Sequence, residues 1–255
     1  MPVFHHGSVE LAFLDEGQGE PIVLVHGFAS SKEVNWVQPG WFATLGGAGR
    51  RVIAFDNRGH GQSAKLTDPA DYHTSKMAGD VRALLDHLQI EQADVMGYSM
   101  GARIAAFLAL EYPDVVRSMV LGGLGMHLID GVGLPESVAE ALEAPSLADV
   151  TDSQGRMFRA FADQTKSDRR ALAACIRGSR QVLTREQAAS IQTPTLIAVG
   201  TKDPIAGSPE ELAAAMPHAR ALPIPGRDHM LAVGDKVFKA GVLEFLRVQI
   251  PQERA

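Results

Sequence analysis

The sequence predicts a single α/β fold built on a doubly wound, mostly parallel sheet with a small helical insertion. Short, continuously apolar segments recur along its 255 residues, and each ends at or close to a glycine or an aspartate. Amphipathic helical patterns separate these segments. Continuous apolar runs are typical of strands buried on both faces, as in a parallel sheet covered by helices. The alternation of strand and helix therefore predicts consecutive βαβ units.

Six apolar segments are predicted to form the parallel strands. They lie at residues 22–25, 52–55, 93–96, 119–121, 195–199 and 221–224. Ahead of them, the pattern of residues 9–14 and the turn at residues 16–19 predict an antiparallel hairpin or an edge strand. Ligands of open α/β sheets bind beyond the carboxyl ends of the parallel strands, so candidate site residues are expected there.

Three helices are predicted between and after these strands, from apolar residues at three- and four-residue steps. Residues 102–110 are apolar on nearly every side, which predicts a central helix packed under the sheet. The other two buried faces consist of Met77, Val81, Leu84, Leu85 and Leu88, and of Val237, Val242, Phe245 and Leu246.

The stretch between the fourth and fifth parallel strands interrupts this alternation. Residues 126–192 contain no strand pattern but several short amphipathic patches, punctuated by Pro135, Pro145 and Gly178. We therefore predict an α/β core of residues 1–125 and 193–255, with a helical insertion of residues 126–192 that packs on it.

Composition and charge exclude several classes of protein. The formal net charge is −6, which gives no electrostatic basis for binding nucleic acid. The single cysteine, Cys175, excludes an internal disulfide and a multi-cysteine zinc site, and no His/Asp/Glu cluster predicts another metal. No apolar run approaches the ~18–20 residues of a membrane span, and the start lacks a signal-peptide pattern. A cytoplasmic protein without a metal or cofactor is the expectation.

The segment Gly97-Tyr98-Ser99-Met100-Gly101 matches the pattern G-x-S-x-G. It follows a predicted strand directly and opens a predicted helix, which is the context that the nucleophile elbow requires. The tight turn needs small neighbours, because it holds the serine in a strained backbone conformation. The alternative is a serine that only caps the helix. The context favours Ser99 as a nucleophile.

A serine hydroxyl needs a general base, and the base needs an orienting carboxylate. Of the nine histidines, His229 follows the last strand at the carboxyl edge of the sheet, which favours it over the others. Asp203 lies just beyond the fifth parallel strand and is the favoured acid. Asp228, adjacent to His229, is the alternative acid, and a merely solvated loop histidine is the alternative for His229.

The chain order Ser99, Asp203, His229 and the motifs around it resemble the α/β-hydrolase fold. The segments that carry the resemblance are residues 26–29, 56–63, 97–101, 200–203 and 228–229, and it covers the whole chain except the insertion. The family places a helical cap where this insertion lies. The resemblance implies an oxyanion hole formed by two backbone amides, which map to Phe28 and Met100.

Five residues are candidates for substrate contacts: Trp36, His127, Phe158, Phe161 and Met230. Each also fits an ordinary structural role, the aromatic and methionine residues as core and His127 as a satisfied histidine. The few aromatic residues and the many Ala, Leu and Met residues of the insertion predict a modest apolar cavity without a dedicated cationic surface.

The predicted function is a cofactor-free serine hydrolase acting on a small carboxylic ester, thioester or lactone. Alternatives on the same fold are a carbon–carbon bond hydrolase, a perhydrolase and a ligand-sensing signalling protein. The carbon–carbon hydrolase is disfavoured because residues 28–31 replace the longer glycine-rich loop expected there. Relatives with an aspartate nucleophile, the haloalkane dehalogenases and epoxide hydrolases, are disfavoured because residue 99 is serine. The expected partner is a small-molecule substrate, and the oligomeric state is not predicted.

Overall fold

The computed structural model describes residues 1–131 and 133–249, and the strands of this part form one sheet. In chain order they are β1 (Val3–His6), β2 (Val9–Glu16), β3 (Pro21–Val25), β4 (Arg51–Phe55), β5 (Ala93–Tyr98), β6 (Val116–Gly122), β7 (Thr195–Gly200) and β8 (Ala219–Ile224). They lie in the order β1-β2-β4-β3-β5-β6-β7-β8, and β3 to β8 pair in parallel. All six predicted parallel segments lie within β3 to β8, so the predicted fold class is confirmed.

The antiparallel edge differs from the expected hairpin. Strand β2 pairs antiparallel with β1 on one side and with β4 on the other. The tight connection is the turn at Gly7 between β1 and β2, whereas residues 17–20 join β2 to β3 without pairing them. Strand β1 is missed by the sequence patterns because only Phe4 of its four residues is buried.

The helices are α1 (Trp41–Gly46), α2 (Thr74–His87), α3 (Met100–Glu111), α4 (Glu136–Glu143), α5 (Ser153–Gln164), α6 (Arg169–Gly178), α7 (Arg185–Ser190), α8 (Pro209–Ala215) and α9 (Lys236–Arg247). The three predicted helices correspond to α2, α3 and α9. In residues 1–131 and 133–249, none of the helices combines the length and the apolar character needed to cross a bilayer.

Alternate residues of the parallel strands face two apolar layers. Val23 and Val25 of β3 belong to a cluster that includes α2, α3 and α8. Ile22 and Leu24, which point the other way, belong to a second cluster that includes α1 and α9. This arrangement explains why the strands are continuously apolar, because both of their faces are buried.

Helices α4, α5 and α6 pack together at the carboxyl end of the sheet. Their apolar cluster includes Val138, Phe158 and Leu172, and it contacts Ala29 in the loop after β3. Helix α7 instead contacts α3 and α8. The division of the chain at residues 126 and 192 remains a prediction.

Candidate active site

Ser99 lies in a strained turn between β5 and α3. Its backbone has φ 54° and ψ −112°, a combination that non-glycine residues rarely adopt. A Cβ on Gly97 would lie 2.1 Å from the Gly101 carbonyl oxygen, and one on Gly101 would lie 2.0 Å from the Val25 carbonyl oxygen. Both neighbours must therefore be glycine. The Ser99 side chain makes no capping hydrogen bond to α3, which argues against the helix-cap alternative.

The three residues of the expected catalytic triad lie in hydrogen-bonding contact. His229 Nε2 is 3.0 Å from Ser99 Oγ, and His229 Nδ1 is 2.7 Å from Asp203 Oδ2. The Asp203 side chain is fully buried, and its second oxygen accepts the N–H groups of Ile205 and Ala206 at 2.8 and 3.1 Å. A carboxylate at Nδ1 favours the tautomer with its proton there, which leaves Nε2 free to accept from the serine hydroxyl.

The alternative acid, Asp228, has a different role in the structure. Its Oδ1 accepts the backbone N–H groups of Met230 and Leu231 at 3.1 and 2.9 Å, which fixes the turn after His229. The same loop is held by Tyr98, whose hydroxyl donates to the His229 carbonyl at 2.5 Å. Asp228 and Tyr98 therefore shape the backbone that carries His229.

The loop after β3 approaches the nucleophile closely at Gly27, the residue before Phe28. A Cβ on Gly27 would lie 3.5 Å from Ser99 Cβ, so the two segments are in close approach. The Gly27 N–H donates to Asn35 Oδ1 at 2.9 Å. Within the described ranges, the Phe28 and Met100 amides have no acceptor, and Met100 begins α3, where amides lack helical partners. Their role as oxyanion donors stays a prediction.

A buried polar network supports this loop from below. His26 donates through Nδ1 to the Gly27 carbonyl at 2.7 Å and accepts the Asn57 N–H at Nε2, at 2.9 Å. Burial lowers the pKa of His26 despite the opposing effect of Asp56, in keeping with this neutral tautomer. The ammonium group of Lys32, also fully buried, donates to Asp56 at 2.6 Å. These buried hydrogen bonds therefore hold the loop after β3 in a fixed conformation.

His60 lies in the same network and makes the stability of the fold sensitive to acid. Its ring packs edge-on against His26 and Phe28, and its Nδ1 donates to the Arg58 carbonyl at 2.9 Å. Burial lowers the pKa of His60 from 6.5 to about 3. The unfolded chain therefore takes up this proton first as the pH falls. His60 thus contributes stability above about pH 6.5 that is lost progressively toward pH 3.

Replacement of His60 by asparagine tests this dependence. Asparagine keeps a donor for the Arg58 carbonyl but cannot take up the proton. When the pH is lowered from 7 to 5, we expect the free energy of unfolding to fall by about 2 kcal/mol more in the wild type than in His60→Asn. Urea unfolding at both pH values measures the difference. Equal losses in the two proteins would contradict a neutral buried imidazole at position 60.

A cavity of about 690 Å³ lies above Ser99 and His229, within the size range of small-ligand sites. Four of the five candidate substrate-contact residues line it: His127, Phe158, Phe161 and Met230. His127 also has a structural contact, because its Nδ1 lies 2.6 Å from the Ile205 carbonyl. Phe28 and Met100 line the cavity too.

The structure corrects the prediction that Trp36 contacts the substrate. It is fully buried against Trp41, with ring centroids 6.2 Å apart, in the apolar layer of α1 and α9 rather than in the cavity wall. Its neighbour Asn35, in the same short helical turn, lines the cavity instead. Adjacent residues of a helix face different directions, so the turn presents asparagine to the site and tryptophan to the core.

Several polar residues of the cavity wall were not predicted, among them Asn35, Arg103 and Arg180. The two arginines contradict the expectation of a cavity without a cationic surface. A signal for Arg103 exists in the sequence, because it is the one charged residue in the otherwise apolar segment 102–110, one helical turn after Ser99.

Among the described residues, no group of three or more His, Cys, Asp or Glu side chains is placed to hold a metal ion.

Comparisons with known proteins agree with the fold. Residues 20–128 match the family model of the α/β hydrolase fold. The chain is 32% identical to a Mycobacterium tuberculosis protein that carries the name non-heme bromoperoxidase BpoC, over 87% of this chain and 91% of that one. The crystal structure of that protein superposes with a TM-score of 0.72 at 26% identity, covering 96% of this chain and all of the other.

Two further relatives have names of hydrolases. The 3-oxoadipate enol-lactonase 2 of Acinetobacter baylyi is 26% identical over 80% of this chain and 82% of its own. Epoxide hydrolase B of M. tuberculosis is 36% identical over 131 residues, which are 47% of this chain but only 33% of that protein. The chain belongs to the α/β-hydrolase fold family.

Proposed function

We propose that the protein is a serine hydrolase that cleaves a small carboxylic ester, thioester or lactone through an acyl-enzyme. The observation that carries this proposal is the continuous line of contacts from Asp203 through His229 to Ser99, which ends inside the cavity. A serine in such a line acts as a nucleophile toward carbonyl carbon.

In the proposed reaction, Ser99 Oγ attacks the carbonyl carbon while His229 Nε2 accepts the hydroxyl proton. Asp203 holds the imidazole in the reactive tautomer and stabilises its protonated form. The Phe28 and Met100 amides donate to the oxyanion that develops. His229 then returns the proton to the leaving oxygen or sulfur, the acyl group stays on Ser99, and water hydrolyses it by the same steps.

The helical insertion at residues 126–192 is proposed to act as a cap over this site. Phe158 and Phe161 of α5 line the cavity, and Phe158 packs edge-on against Phe28 at 5.6 Å between ring centroids. The cap thus encloses the acyl-binding space and restricts water around the nucleophile.

The names of the relatives agree with this proposal in different degrees. The enol-lactonase is matched over most of both chains, and lactone opening uses the same attack on a carbonyl carbon. The likeness to epoxide hydrolase B covers only a third of that protein. Opening an epoxide through an aspartate nucleophile would need a carboxylate at the elbow, where this chain has Ser99.

An activity screen tests the proposal. The purified protein is incubated with p-nitrophenyl esters of graded acyl length and with small lactones, and the acylated peptide is then sought by mass spectrometry after acid quenching. We expect turnover without added metal or cofactor, and an acyl adduct on the peptide that contains Ser99. An adduct elsewhere, or no turnover of any ester or lactone, would refute the proposed reaction.

A second candidate is perhydrolysis, in which hydrogen peroxide replaces water in attack on the acyl-enzyme. The observation that favours it is the 32% identity, over most of both chains, to a protein named as a non-heme bromoperoxidase. Peroxide-dependent bromination in the presence of acetate would reveal it. Because both reactions share one acyl-enzyme, each should require Ser99.

We further expect a preference for short acyl chains. Each methylene adds about 0.8 kcal/mol of binding only while it still fits, and the acyl and leaving groups must share a cavity of about 690 Å³. Values of kcat/KM from acetate to palmitate esters should be highest at short chains and fall by medium length, with no rate increase above the solubility limit. A maximum at long chains, or such an increase, would show that the cap opens widely.

A further inference from the structure

Two arginines line the cavity that contains Ser99 and His229. Arg103 lies on α3, and its backbone N–H bonds to the Ser99 carbonyl, so it stands one helical turn beyond the nucleophile. Arg180 follows α6 by two residues and belongs to the proposed cap. The core and the cap therefore each contribute one guanidinium group to the same cavity wall.

Arg103 is buried without a carboxylate in contact among residues 1–131 and 133–249. It is only 6% exposed, and its guanidinium donates to the carbonyls of His127 and Gln181 at 2.9 and 2.8 Å, with a longer contact to Leu128. Burial lowers its pKa to about 10, so it remains protonated at neutral pH. A buried cation that meets only neutral dipoles is incompletely compensated, and an anion nearby would stabilise it.

Arg180 is half-buried and also lacks a carboxylate partner in the described part of the chain. Its Nη1 donates to the Leu134 carbonyl at 3.0 Å, and this is the one hydrogen bond found for its side chain there. Two other arginines of the cap do have carboxylate partners: Arg159 pairs with Asp163, and Arg177 pairs with two glutamates. Arg180 is therefore a cation of the cavity wall whose guanidinium still has N–H groups available to donate to a ligand.

The remaining charges of the wall do not cancel these two cations. Asp130 lies on the rim, exposed, with its carboxylate 3.7 Å from Arg185. Much of the wall is apolar, including Phe28, Leu134 and Phe161, which strengthens electrostatic interactions in the cavity. The chain as a whole has a formal charge of −6, so the two cations of this cavity are opposite in sign to the net charge of the protein.

We propose that Arg180, aided by the field of Arg103, binds a carboxylate of the substrate, which is then an ester or lactone bearing a free carboxylate. This inference rests on the proposed function for the carbonyl group that reacts at Ser99, but the anion site itself does not depend on catalysis. Arginine suits this role because its planar fork donates two parallel hydrogen bonds to a carboxylate. Arg103 uses its terminal nitrogens on backbone carbonyls, so its contribution is electrostatic.

The first test compares p-nitrophenyl hydrogen glutarate with the neutral p-nitrophenyl pentanoate, each corrected for spontaneous hydrolysis. We expect the wild type to prefer the anionic ester in kcat/KM by about tenfold or more, and Arg180→Gln to lose that preference. Arg180→Lys should restore part of it. The matched control is Arg170→Gln, which removes an exposed arginine from α6 and should keep the wild-type preference.

The second test measures binding without catalysis. Calorimetry measures the affinity of the Ser99→Ala variant for glutarate and for its neutral diamide. The same titrations are then carried out with the double variant that carries Ser99→Ala and Arg180→Gln. We expect glutarate to bind more tightly than the diamide, and Arg180→Gln to weaken glutarate alone by about tenfold or more.

The outcomes separate the two proposals. The anion site is overturned if the protein turns over neutral esters as well as anionic ones, or if Arg180→Gln leaves glutarate binding unchanged. Either result leaves the hydrolase proposal intact. Glutarate binding that depends on Arg180, in a protein that cleaves no ester or lactone, supports the anion site and refutes the hydrolase proposal.

Discussion

Replacing Ser99 with alanine should lower kcat/KM for p-nitrophenyl esters by at least ~10³-fold, with the fold unchanged. The loss follows from removal of Ser99 Oγ, the proposed attacking atom, which lies 3.0 Å from His229 Nε2. The residual rate would come from the oxyanion donors and from binding alone.

The structure explains why this variant should fold. Alanine keeps the Cβ that serine already places at φ 54°, so the strain of the turn does not increase. The Ser99 hydroxyl makes no capping hydrogen bond to α3, so no helix contact is lost either. An unchanged thermal unfolding midpoint would confirm that the activity loss is chemical.

Labelling with a fluorophosphonate gives an independent readout of the same serine. The wild type should carry one label, on Ser99, and Ser99→Ala should carry none. Ser30 also lines the cavity, so Ser30→Ala is the matched control and should label like the wild type. A label on another serine, or full ester turnover by Ser99→Ala, would exclude the nucleophile proposed here.

The fold was predictable because its signals are local and redundant. Each parallel strand is buried on both faces, so residues such as 22–25 are apolar without interruption and are easily recognised. Strand β1 lacks this property because Val3 and His5 are exposed and only Phe4 enters the core. An edge strand with one buried residue cannot be distinguished from a loop by its sequence pattern.

The candidate triad was predictable for a different reason. Strand ends point to one edge of a parallel sheet, so polar residues that follow different strands converge there. This rule places Ser99, Asp203 and His229 near one another without knowledge of any loop conformation. Asp228 could be set aside only in the structure, where it bonds the amides of the turn that follows.

The cavity wall was predicted less well because it depends on tertiary geometry. Trp36 and Asn35 are adjacent, and only the orientation of their helical turn decides which one faces the site. Arg180 reaches the cavity through the packing of α6 against the core, which leaves no periodic signal in the sequence. Composition of the insertion therefore suggested an apolar cavity, whereas the structure adds Arg103 and Arg180 to it.

Replacing Asp203 with asparagine should lower kcat by about 10⁴-fold, whereas Asp228→Asn should lower it by no more than about tenfold. The reason is the hydrogen bonding of Asp203. Its Oδ1 accepts two backbone N–H groups, from Ile205 and Ala206. In the asparagine variant these amides would hold the carbonyl oxygen in that place and turn the amide nitrogen toward His229.

An N–H donor facing His229 Nδ1 makes that nitrogen an acceptor and moves the imidazole proton to Nε2. The protonated Nε2 can no longer accept the hydroxyl proton of Ser99, although every heavy atom stays in position. Asp228→Asn differs, because the carbonyl oxygen of asparagine can still accept from Met230 and Leu231. Initial rates at saturating ester, with thermal unfolding of each variant, separate the chemical effect from the structural one. A larger loss in Asp228→Asn than in Asp203→Asn would show that the orienting acid is Asp228.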